Sequence, residues 1–155
     1  MRSEMAQAIM DTVKSCMEEV NVAMPGTVVA YDAGTGLASV QPFGTLRRPD
    51  GTSMGYPIIT GTPICQPSGI AVPVRIGTPC LLVICDADIA GWISGQAGSA
   101  SLLHNLSNAV CIPGLQKTAT AEQNLANSKG CVAISGNLYV NGSIICTGNC
   151  NASNI

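Results

Sequence analysis

From residue 130 onward a glycine falls every six residues, at Gly130, Gly136, Gly142 and Gly148. The blocks read GCVAIS, GNLYVN, GSIICT and GNCNAS. The second residue after each glycine is Val132, Leu138, Ile144 or Cys150, and the fourth is Ile134, Val140, Cys146 or Ala152. Positions two apart share one face of a strand. Each block therefore predicts a short strand with one apolar face and a glycine corner, while Ala133, Tyr139, Ile145 and Asn151 face the other way. Hexad solenoids wind about three hexads per coil, and stacking of several repeats buries their core. The four blocks amount to little more than one coil, so a single chain cannot cover this face. Three chains wound about one axis can, each supplying one wall of every layer, and cyclic symmetry closes the assembly. The segment 130–155 is thus expected to be an intertwined trimeric β-helix or β-prism, and the protein a homotrimer. No charged side chain follows Lys129, as an axial core requires. The inward residues shrink from Leu138 and Val140 to Cys150 and Ala152, which describes a tapering needle.

Composition agrees with a covered surface. Only 10% of the 155 residues are charged, against about a quarter in ordinary globular chains. A lone soluble monomer with so little charge is prone to associate. The net charge is −2 and the seven basic residues are scattered; with few aromatics and no basic stripe, nucleic-acid binding is not expected. The N-terminal MRSEMAQAIM lacks the apolar run of a secretory signal, and no stretch of about 18 apolar residues is present to span a bilayer. The chain is expected to be made in the host cytoplasm. Its eight cysteines, with no C-x-x-C pair, are then read first as buried thiols.

The predicted architecture is mainly β. A helix occupies residues 3–21 of an N-terminal segment 1–24: Met5, Ile9, Val13, Cys16, Met17 and Val20 recur at helical spacing, and Met24-Pro25-Gly26 ends it. Short strands and turns then run over 25–115. Residues 27–31 and 37–41 form a hairpin across Asp32–Gly36, and Pro49-Asp50-Gly51 is a second turn. Strand-like pieces follow at 56–60, 63–66 and 70–74. Cys80–Cys85 reads as a buried central strand, with its two cysteines on opposite faces. Asp86–Trp92 is a helical turn that places the only tryptophan on the domain. So many short strands suggest a small OB-like β-barrel. Residues 116–129 read as a linker.

Few residues invite a chemical story. Cys146 and Cys150 both point at the three-fold axis, where rings of thiols would take iron, an iron–sulfur cluster or zinc; a cysteine is equally a small apolar core residue, and no cofactor is expected. Cys80 and Cys85 are read as core packing, with a disulfide to Cys65, Cys111 or a neighbouring protein as the other reading. Asp86 and Asp88 end an apolar strand, where carboxylates also cap short helices. His104 lies in a polar loop with no nucleophile motif near it, and Gly34-Thr35-Gly36 is too short for a phosphate loop. The chain is not expected to be an enzyme.

The order of these features resembles the central baseplate spike proteins of contractile-tailed phages. The features are Pro25-Gly26 before the first strand, Val40-Gln41-Pro42, the apolar strand ending in Asp86 with Trp92 nearby, the Pro113-Gly114 closure and the β-helical tail. The resemblance covers essentially the whole chain. It implies a membrane-piercing virion protein at the tail-tip baseplate. Its OB-folds would dock on a tail hub protein among other baseplate proteins, and its β-helix would point at the host outer envelope. Such spikes often end in a His-x-His motif that holds iron. Here the single histidine, His104, precedes the repeat, so that site is not carried over, and the short tail implies a blunt tip or a tip-capping protein. A different reading is a trimeric OB-fold module that binds glycan or nucleic acid; the scarcity of aromatic rings counts against it. A hexad-repeat acyltransferase would need more hexads and an aliphatic residue before each glycine, where this chain has Lys129, Ser135, Asn141 and Thr147.

Overall fold

Pro25 and Gly26 do not close a helix; they lie inside the first strand. The computed structural model describes residues 2–18, 20–48, 50–98, 104–145, 147 and 148. Helix α1 (Arg2–Glu18) is shorter than the sequence suggests, and strand β1 (Ala23–Asp32) begins before Pro25. Proline is excluded from a helix interior but tolerated in a strand where its missing N–H has no partner to meet. Pro25 sits one residue before the β1–β2 ladder opens at Gly26↔Pro42, and its carbonyl accepts the Phe43 amide at 2.8 Å.

The chain divides into two compact units, Met1–Gln116 and Lys117–Ile155. In the first, β1 and β2 (Leu37–Pro42) form the expected hairpin. Its turn is held by Asp32, whose carboxylate accepts the Gly34 amide at 2.9 Å and the Thr35 hydroxyl at 2.8 Å. A small two-stranded ribbon, β3 (Thr45–Arg47) with β4 (Ser53–Gly55), follows. Its turn carries Asp50, which accepts from the Thr52 amide and hydroxyl, and Gly51 at φ 84°. Pro49 lies outside the described residues. The main antiparallel sheet adds β5 (Ile59–Pro63), β6 (Pro79–Ile84) and β7 (Ala109–Pro113) in the order β5-β2-β1-β6-β7. Three successive strands of this sheet with a fourth returning beside the first make a Greek key. The far edges approach each other: Ile64 pairs in parallel with Cys111, and the Cys65 amide donates to the Cys111 carbonyl at 2.8 Å. The sheet thus curls into a half-barrel.

Its inner face is the core, built from Met24, Val28, Ala38, Val40, Ile59, Cys80, Leu82, Ile84, Ala109 and Cys111. β2 and β6 alternate strictly between buried and half-buried residues, as a sheet with one covered face requires. Burying each Val, Leu or Ile contributes about 1.5–3 kcal/mol. A bulge between Val28 and Ala30 bends β1, which helps the sheet curl. Gly26 lets the central strands approach: a Cβ there would lie 2.7 Å from Val40 Cγ1 and 3.2 Å from the Gln41 carbonyl.

Four expectations are corrected. Residues 70–74 are not a strand: the Gln66 side-chain amide donates to the Val72 carbonyl at 2.7 Å and accepts the Val72 amide at 3.1 Å, so a side chain takes the place of a partner strand. Trp92 is 78% exposed rather than packed on the barrel, because α2 (Ile89–Ser94) buries Gly91 instead. The irregular stretch expected over 86–117 contains β7, paired with β6 along its length. The segment 116–129, read as a linker, contains α3 (Ala121–Lys129), which opens on a capping box between Thr120 and Gln123. It closes on Gly130, where the Gly130 and Cys131 amides both reach the Ala126 carbonyl, the Schellman pattern that a left-handed glycine permits.

Candidate assembly interface

The hexads carry the most exposed apolar surface for their length. Val132, Ile134, Leu138, Val140 and Ile144, the expected inward positions, are all exposed, from 41% at Val140 to 88% at Val132. Among the described residues from 131 onward no strand forms. Gly136 and Gly142 take positive φ, 124° and 149°, conformations open to glycine and strained for other residues. Gly130 also takes positive φ, and its local work is to cap α3; Gly148 lies in a bend. Cys146, Cys150 and Ala152 lie outside the described residues. Within this unit the Glu122 carboxyl is held below the usual range. Its own backbone amide is the main cause, and the Thr120 and Ser135 hydroxyls add to it.

A second apolar surface lies on α1. Met5, Ile9, Met10, Val13 and Met17 are between 53% and 70% exposed, and no strand or helix packs extensively against them. Ile9, Met10, Val13, Lys14 and Met17 line a shallow open groove. The chain leaves this helix through Asn21, whose carbonyl lies 3.2 Å from His104 Nδ1, and through Val22, whose carbonyl accepts the Ile84 amide at 2.8 Å. The root of α1 is therefore tied to the half-barrel.

The structure disperses the residues with chemical potential. Asp88 caps α2, accepting the Gly91 amide at 3.1 Å. Asp86 is 3.6 Å from His104 Nδ1, an ion-pair distance, but its side chain is 76% exposed. Cys80 and Cys111 face each other in the core as free thiols; their mutual hydrogen bond and burial push the Cys111 thiol far above its ordinary range. Cys85 is on the other face and is raised by partial burial and by Asp86. Among the described residues no cluster of three or more His, Cys, Asp or Glu side chains is placed to hold a metal ion. The Gly34–Gly36 turn binds only its own Asp32.

One organising residue gives no signal in the sequence. Asn108, 4% exposed, donates to the Cys85 and Ala87 carbonyls at 2.8 Å each and accepts the Ile89 amide at 3.0 Å. It sets the turn from β6 into α2, and its partners lie too far along the chain to form a readable motif.

No curated protein matches the chain. The family model described as the phage protein Gp138 N-terminal domain matches residues 24–114, a span that opens in β1 and ends one residue after β7. This match covers the whole half-barrel and more than half of the sequence, and the chain belongs to that family of phage proteins.

Proposed function

We propose that the protein is the homotrimeric central spike of a contractile-tail baseplate, a virion component that docks on a tail hub through its half-barrel and pierces the host envelope through its C-terminal segment. One observation carries this reading: a domain of a phage protein family is followed by uncharged hexads whose apolar positions lie exposed in a single chain. Wound three-fold about an axis, Val132, Ile134, Leu138, Val140, Ile144, Cys146, Cys150 and Ala152 would form a dry core, with Gly130, Gly136, Gly142 and Gly148 at or beside its corners. Such a core stiffens the needle because every inward residue is covered by two neighbours. The parallel Ile64–Cys111 bridge supports OB-like closure of the half-barrel, since the OB-fold is a five-stranded, partly open Greek-key barrel. The role is mechanical: it requires no cofactor and no catalytic group, and a metal on the Cys146 and Cys150 rings would only link the chains. Light scattering of the full chain and of a variant lacking 130–155 tests the reading. The full chain should have the mass of three copies and the deletion a lower one; a monomeric full chain overturns the proposal.

A further inference from the structure

We infer that α1 is a second self-association element, whose apolar face packs against α1 of two other copies in a parallel three-helix bundle. The inference rests on the homotrimer proposed above. With Ala6 as the first position of a heptad, the first and fourth positions are Ala6, Ile9, Val13, Cys16 and Val20, an unbroken 3-4 spacing. Met10 and Met17 occupy the fifth position and widen the stripe. Three apolar positions per heptad suit a helix facing a bundle, whereas two suit a two-stranded seam.

Charge selects the occupant. Glu4, Asp11 and Glu18 recur every seven residues on the opposite side, and Lys14 lies at the second position. The stripe itself carries no charge, so identical copies meet without like-charge pairs. A lipid surface is disfavoured because the polar positions of 2–19 hold four acidic and two basic residues, whereas membrane-surface helices are rich in Lys and Arg. Copies arranged by a cyclic axis run parallel, which brings each Cys16, an exposed thiol, beside its counterparts. At 17 residues the helix is about 25 Å long, too short to hold copies together alone. Tethering by another trimer contact raises its effective concentration enough for it to pack.

The test uses the full chain and a short bis-maleimide, followed by peptide mapping of the linked thiols. Cys16 should link to Cys16 of another copy. Ile9→Asp with Val13→Asp should cut that product by at least about tenfold, because buried unpaired carboxylates are costly, while the mass by light scattering stays that of a trimer. A trimer in which Cys16 never links to Cys16 overturns this inference and leaves the hexad reading standing. A trimer that survives Leu138→Asp but falls apart with the α1 double variant supports the inference and overturns the hexad reading. A monomer under every condition overturns both.

Discussion

Gly26 shows how a single residue sets the spacing of the central strands. Its neighbours are not local: Val40 comes from β2 and Leu82 Cδ1, 3.4 Å from the missing Cβ, from β6. A methyl group there must displace Val40 or part β1 from β2. Gly26→Ala is therefore expected to destabilise the half-barrel by about 1–3 kcal/mol, the usual range for overpacking, measured by urea unfolding. The Pro25-Gly26 pair was visible in the sequence only as punctuation, and the close approach that demands glycine was not. Asn108 was hidden for the same reason, since it bonds to residues 19 to 23 positions away. Asp32 was legible, because its partners are its immediate successors. The Thr35 hydroxyl, and then the Gly34 amide, stabilise its carboxylate and lower its pKa from the ordinary 3.8. A lowered folded-state value means that the turn's contribution is complete above the unfolded value and is lost as pH falls through the folded one. Carbon-detected titration should place the Asp32 midpoint below 3.8, and Thr35→Val should move it back up. An unmoved midpoint would show that the hydroxyl does not hold the carboxylate.

At the scale of elements, what the sequence revealed depended on where each pattern has its cause. The β1–β2 hairpin and the alternation of Cys80–Cys85 follow from local turn chemistry and from a two-residue period, and both were readable. β7 was missed because AVCIP is short and ends in proline; only pairing with β6 makes it a strand. Residues 70–74 erred the other way: Ile70, Val72 and Val74 alternate, but Pro73 lacks a ladder donor and Gln66 captures Val72. The α3 segment looked like a linker because it has one large apolar residue, Leu125, which is 51% exposed. Its signals are at its ends, in Thr120 with Gln123 and in Gly130, the signature of a capping box and a left-handed stop. Because no buried face sustains α3, its caps should matter more than usual. Thr120→Ala is expected to cost about 1 kcal/mol of helix stability, seen as faster amide exchange over 121–126. Exchange that does not change would mean that contacts beyond the helix ends support it.

For the whole molecule the deciding question is what covers the hexads. The apolar phase of the repeat was legible because it is a pattern within one chain, but its burial is a property of several chains, and in one chain Leu138 remains 64% exposed. The phase assigns opposite fates to neighbouring residues. Leu138 points to the axis, where an aspartate from each of three copies would meet with little water, and burying unpaired charge is strongly unfavourable. Asn141 is the residue before a corner glycine, where three added charges stay far apart and solvated, and surface changes of that kind are usually within about 0.5 kcal/mol. Leu138→Asp should therefore abolish the trimer, while Asn141→Asp should leave its mass unchanged and its melting temperature nearly so. Both variants add the same charge to the same segment, so a general effect of acidity would act on them alike. Sedimentation at several ionic strengths separates the cases, because salt screens exposed repulsion and barely touches a buried one. If the two variants dissociate equally, the inward phase is misassigned and the axis is lined by other residues. If neither dissociates, the hexads do not hold the copies together, and the joining surface lies elsewhere in the chain.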